Sequence, residues 1–369
     1  MKNINQLLSI VLLFISFVNC TTTDDGTYFN GEIRQINDEV KKVTNVVLTP
    51  VRLEGANHGY FAVHDSLMFF MNPKLSDHIF NVFNVDSGAE IGEFIYKGLG
   101  PQEFISLSPI LQFFKEENEL KTLLFAPNEN KLLVWNIKKS VQQSKTVIDT
   151  IISYICREET NNARFKYIFR INKDTLLISV QSIFLSVKEA SLPFYQKRTV
   201  QSNEVLRDFS LYKQSIKNDE SEIIPEAFFY SNEAFKPDGS KIAQVMLNIA
   251  QLNILDLTTG EVVGYRIKGS PDYTIFEKKH KTLNDFYLRV QADDNYIYAS
   301  YWGKSPWDIK EIPFINTIHV FDWQGEFIQI IKTDQTIGQI ALDRVRNRLY
   351  TMDLSTDQVY YLDLDGLID

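Results

Sequence analysis

The chain has 369 residues, 44% hydrophobic and 13% aromatic, with 38 basic side chains against 47 acidic ones and a net charge of −9. That is enough apolar matter for a sizeable core without disulfides or a structural metal. With no basic stripe, the balance excludes nucleic acid as a partner and anionic lipid as a surface held by charge.

Met1 to Asn19 reads as a targeting segment rather than fold. Lys2 supplies the positive start, and Leu7 to Val18 is an apolar run too short for a comfortable membrane span. Cys20 follows at once. The arrangement resembles a bacterial lipoprotein signal, in which the cysteine is acylated and becomes the mature N-terminus. Phe17 and Asn19 depart from the usual residues at those positions. An ordinary secretory signal with an incidental cysteine is the alternative. Acylation of Cys20 would leave Cys156 without a partner in the chain, a thiol for the interior rather than a nucleophile. Removing the signal takes away Lys2 and leaves 37 basic residues against 47 acidic, a balance of −10.

Thr21 to Asp25, TTTDD, is either a soluble tether or, by resemblance to Bacteroidetes lipoproteins, a surface-export signal. Residues 20–42 show no persuasive strand pattern and are expected to space the domain from the membrane. Residues 43–369 are expected to form one domain.

From Gly59 onward, short β-rich runs alternate with polar turns. One turn recurs: Asn84 to Gly88, Asp256 to Gly260, Asp322 to Gly325 and Asp363 to Gly366, with degenerate copies at Asn136 to Ser140 and Gln201 to Glu204. In it the Asp or Asn side chain accepts from backbone N–H groups ahead of it, and Gly supplies the positive φ. Six copies at steps of roughly forty to sixty-five residues are the spacing of four-stranded propeller blades with variable loops. The predicted fold is therefore all-β, a six-bladed propeller of antiparallel blades. Blade one spans about Gly59–Lys97, blade two 108–152, blade three 166–212, blade four 227–268, blade five 285–332 and blade six 337–366. After Gly366 only Leu367, Ile368 and Asp369 remain, so the last blade lacks its outermost strand. The strand-like, unclaimed Asn45 to Leu53 is predicted to supply it and close the ring.

Gly98 to Phe104, GLGPQEF, lacks the third glycine of a dinucleotide fingerprint and opens no clear helix. It marks the crossing from the rim of blade one to the hub of blade two, a structural role first and a ligand role second. This G-x-G-P-x-E-F element behind a lipoprotein signal resembles the TolB-like six-bladed propeller lipoproteins of Bacteroidetes. The resemblance implies fold and an outer-membrane, cell-envelope location, with the membrane reached only through the lipid anchor. It implies no activity.

Propeller topology gathers Gly98–Phe104, Asn72–His78, Ser186–Phe194 and Trp302–Pro313 on one face. The candidate binding residues there are Trp302, Lys304, Trp307 and Asp308, joined by Gln102 and Glu103. The two tryptophans, with Lys304 and Asp308, could stack on a sugar or clamp a peptide, or simply pack the loop on its own blade. The favoured function is binding of a glycan, a peptide or an envelope protein. The alternative is a propeller enzyme, a polysaccharide lyase or hydrolase using carboxylates or histidines at the central channel. No catalytic residue stands out. His58, His64, His78, His280 and His319 are scattered with no H-x-x-x-H or H-E-x-x-H pair, no G-x-S-x-G elbow occurs, and nothing asks for a metal or other cofactor.

Overall fold

Met68, Phe69 and Phe70 are all fully buried, yet they alternate between two cores: Met68 and Phe70 pack toward one neighbouring blade and Phe69 toward the other. Leu176, Leu177 and Ile178 divide in the same way. Successive side chains of a strand leave opposite faces of its sheet, and here both faces are covered. The second strands of these blades therefore read as continuous apolar runs.

The structure, a computed structural model, describes residues 25–39, 41–55, 57–153, 163–182, 194–213, 229–277, 282–307 and 315–368. A one-turn helix α1 (Asp25–Tyr28) leads to strands β1 (Glu32–Ile36), β2 (Lys42–Val46) and β3 (Thr49–Pro50). Blade one is β4 (Tyr60–His64), β5 (Leu67–Met71), β6 (His78–Asn84) and β7 (Glu90–Tyr96). Blade two is β8 (Gln112–Glu116), β9 (Glu119–Ala126), β10 (Lys131–Asn136) and β11 (Ile148–Ser153), with helix α2 (Ile137–Gln143) between the last two. Blade three is β12 (Ala163–Arg170), β13 (Thr175–Ser182), β14 (Phe194–Thr199) and β15 (Val205–Ser210). Blade four is β16 (Ser231–Phe235), β17 (Lys241–Met246), β18 (Gln251–Asp256) and β19 (Val262–Ile267). Blade five is β20 (Asp285–Ala292), β21 (Tyr296–Lys304), β22 (Thr317–Asp322) and β23 (Phe327–Thr333). Blade six is β24 (Gln339–Asp343), β25 (Arg348–Asp353) and β26 (Gln358–Asp363), completed by β3. Six apolar clusters lie one between each pair of neighbouring blades, so the core is a ring of interfaces.

The expected closure is present. Thr49 and Pro50 pair with Tyr361 and Tyr360, and the Val51 N–H donates to the Val359 carbonyl at 2.8 Å. Pro50 is tolerated because this is an edge strand. The closing strand is shorter than predicted, since Asn45 and Val46 belong to β2 and pair with Lys332 and Thr333 of blade five.

Residues 25–42 differ from the expected spacer. β1 lies parallel to β19 as a fifth strand of blade four, and β2 does the same for blade five. Upstream, Phe29 is fully buried and bridges Tyr212 of blade three. The N-terminal segment thus belts consecutive blades and covers outer edges that would otherwise stay unpaired. Residues 1–24, including Cys20, and Cys156 lie outside the described residues.

The recurrent turn has the anticipated chemistry. Asp256 Oδ1 accepts from the N–H groups of Thr258 and Thr259 at 2.8 Å each, and Asn84 Oδ1 from Asp86 and Ser87 at 2.9 Å each. The copy at Asn136 is different: it caps helix α2, its side chain accepting from Lys139 N–H at 3.0 Å. Trp135 Nε1 donates to Ser140 Oγ at 2.9 Å and fixes that helix to the buried indole beneath it.

Candidate functional site

Two places on a propeller can present chemistry: a loop face and the central channel. The loops from second to third strands share one face with the crossings from outer strand to next inner strand, here called the crossover face.

On that face the GLGPQEF loop is held from within. Glu103 Oε2 accepts the Gly100 N–H at 2.9 Å, and Phe104, fully buried, donates its N–H to the Tyr96 carbonyl at 3.0 Å. A Cβ at Gly98 would lie 2.0 Å from Glu103 Oε2. Glu103 is thus occupied in shaping its own loop, while Gln102 is exposed and Leu99 is 87% exposed. Lys97 Nζ reaches the Leu75 carbonyl at 2.5 Å and ties this crossing to the neighbouring 72–77 loop. Next to it, His58 Nδ1 lies 2.6 Å from Asp357 Oδ2 and joins blade six to the first strand of the ring.

On blade five, Trp302 and Lys304 are not in a loop. They end β21, which runs on because Lys304 pairs with Asp285 of β20. Trp302 is half-buried against the core between blades five and six. Trp307 follows and is 74% exposed. Asp308 lies outside the described residues, as do most of residues 186–194. Gln102 and Glu103 sit on blade one and the tryptophans on blade five, so the two groups flank blade six. Leu99, Ile105, Trp307 and Leu354 are exposed large apolar side chains in crossover-face loops. In the turns of the opposite face, Val345 is the one such residue among those described.

The channel is a cavity of about 400 Å³ lined by the inner strands β4, β8, β12, β16, β20 and β24. Sequence reasoning passed over its polar residues Tyr167, Glu233 and Arg289. The available signal was a charge in the middle of an inner strand, as in SNEAF and DFYLRVQA. Glu233, almost wholly buried, is paired with Lys166 Nζ at 3.3 Å. Burial, reinforced by Glu233, raises the phenol pKa of Tyr167 well above its ordinary value, and Arg289 opposes the shift. His64 lines the channel beside Phe113, and burial lowers its pKa, so the imidazole is held neutral. Arg170 sits over the Phe114 ring at 3.9 Å and reaches Glu116 at 3.2 Å. Among the described lining residues Glu233 is the only carboxylate, so they do not assemble a pair of acids across the channel. Among the described residues there is also no group of three or more His, Cys, Asp or Glu side chains placed to hold a metal ion.

His319, the histidine with the most lowered pKa among the described residues, is structural. It stacks on Tyr301 with ring centroids 4.1 Å apart, and its Nδ1 lies 3.1 Å from the Tyr287 hydroxyl. Burial pushes its pKa down to about 3.

Comparison with solved structures agrees with this architecture. A DUF4221-family protein from Bacteroides vulgatus superposes with a TM-score of 0.51 at 11% identity, over 85% of this chain and 94% of that one. An exported protein of Bacteroides fragilis gives a TM-score of 0.47 at 14% identity, over 87% and 86%. At these identities the likeness is one of fold. No curated protein matches the sequence. The architecture is one of binding or scaffolding, and residues 60–345 match the family described as TolB-like 6-blade propeller-like, to which this chain belongs.

Proposed function

We propose that the protein is a cell-envelope propeller, anchored through lipid on Cys20, that binds a glycan, peptide or partner protein on its crossover face. The observation carrying this reading is the exposed ring of Trp307 on the face that also exposes Leu99, Ile105 and Leu354. Large apolar side chains exposed on one face are what an interaction surface offers, and a tryptophan offers large contact area at low entropic cost. The lipoprotein-like signal at residues 1–20 supports the anchor and the envelope location.

The test is a glycan and peptide binding screen, with pull-down from intact envelopes, on the wild type and a Trp307→Ala, Leu99→Ala variant. Loss of a captured ligand in the variant is the expected result; capture unchanged by both substitutions would remove this face from consideration. Labelling with a radioactive fatty acid in cells, with Cys20→Ala as control, checks the anchor independently.

A further inference from the structure

We propose that the central channel is a second binding site, one for a carboxylate group, built on Arg289. Arg289 lies mid-strand in β20 and lines the cavity of about 400 Å³. Its Nη1 donates to the Leu288 carbonyl at 2.7 Å, while its Nε is sealed within the protein and meets no acceptor. No carboxylate pairs with Arg289 among the described residues. The one acid in the lining, Glu233, is engaged by Lys166, and Arg170 is engaged by Glu116. At the mouth nearer the turns, Arg344 is exposed and also has no ion-pair partner among the described residues. Arg289 is thus a guanidinium in the channel wall with no ion pair among the described residues, in a protein whose net charge is −9. A buried donor without an acceptor is costly, and such a group in a native fold calls for a physical reason.

An anion entering the channel meets the accessible Nη side of the half-buried Arg289, since Nε itself is sealed, and supplies the counter-charge. The guanidinium N–H pairs match the two oxygens of a carboxylate in one plane. One guanidinium in the wall suits a monoanion, and the Glu233 carboxylate in the same lining disfavours a phosphate dianion more than it does a carboxylate. The Tyr167 and Tyr60 side chains line the same cavity and add hydroxyl groups to hold a small polar ligand. Two sources share this chemistry: the uronate of an acidic sugar and the free C-terminus of a peptide. The site lies away from the rim bearing Trp307, so it can fail or stand apart from the reading above.

The experiment is calorimetric titration of the purified full chain in detergent. The probes are glucuronate against glucose, N-acetyl-dialanine against its C-terminal amide, and inorganic phosphate. The expected result is saturable binding of at least one carboxylate, about tenfold or more tighter than its neutral partner, since an ion-paired fork carries that much discrimination. Arg289→Gln abolishes that preference, Arg289→Lys keeps part of it because it retains the charge without the fork, and Trp307→Ala leaves it intact. Whichever pair shows the preference identifies the source. Carboxylates binding no better than their neutral partners would overturn the proposal, as would phosphate binding tighter than either. Binding kept in Arg289→Gln and lost in Trp307→Ala would move the carboxylate to the rim and equally overturn it. If Arg289→Gln does not fold, an unchanged preference in Arg289→Lys has the same force.

Discussion

Glu103 turns its carboxylate back onto the loop that carries it and accepts the Gly100 N–H at 2.9 Å, in the space a side chain at Gly98 would need. The glycines and the acid of this motif are therefore one device. Gly98, at φ +151°, should tolerate alanine poorly, at a cost of about 1–3 kcal/mol from strain and collision. Glu103→Ala alone should cost about 1 kcal/mol for the lost hydrogen bond. Because the second substitution removes the obstacle to the first, the double variant should be more stable than the two losses added together. Urea unfolding of the four proteins measures the coupling, and strict additivity would refute the contact.

A second pair of glycines separates strain from collision. Gly325 has φ +83° and a Cβ there would meet the Tyr265 ring at 2.1 Å, whereas Gly366 has φ +68° with nothing within 4 Å. Gly366→Ala should cost only the left-handed penalty of about 1 kcal/mol. Gly325→Ala should cost about 2–4 kcal/mol, because an aromatic ring in the core between blades four and five must also move. Thermal denaturation of the two variants side by side decides the point; equal losses would mean that the ring yields freely.

His319 makes stability depend on acid. Its folded pKa of about 3 lies below the ordinary 6.5, so between these values the unfolded chain binds a proton that the native state refuses. Stability from this group is full above pH 6.5 and falls as the pH drops toward 3, by about 1.4 kcal/mol per pH unit. His319→Gln should flatten the stability profile by about that slope between pH 6.5 and 5. Chemical denaturation at several pH values in this window gives both slopes, and parallel profiles would contradict the assignment.

The two candidate tryptophans should part company in stability. Trp307, 74% exposed, should be replaceable by alanine at a cost within about 0.5 kcal/mol. Trp302, packed against the core between blades five and six, should lose about 1–3 kcal/mol on the same change. If both variants unfold like the wild type, Trp302 is as free as its neighbour and the rim has two aromatic platforms rather than one.

What the sequence shows best is what is local. The Asp256 turn is readable because its acceptor, its donors and its glycine lie within five residues. The apolar runs that build the second strands are readable for the same reason. β1 is not: EIRQI has little to distinguish it from a linker, and it becomes a strand because the outer edge of β19 offers it hydrogen bonds. Trp302 and Lys304 sit among Gly, Ser and Pro, which suggests a loop, but β20 opposite extends the pairing. The helix after Asn136 resembles a degenerate turn until Trp135 and Ser140 are seen to pin it. Arg289 shows a charge out of place, but only the closed ring reveals that no acid among the described residues pairs with it.

The N-terminal belt also has a kinetic consequence. Thr49 is made early, yet its partner Tyr361 comes more than three hundred residues later, and β1 must wait for β19. Contacts so distant in sequence are slow to form, because the loop they close must lose its freedom first. A segment made early is therefore late to find its place, and the ring cannot lock until blade six has been delivered. The same delay exposes its bare strand edges to aggregation along the way.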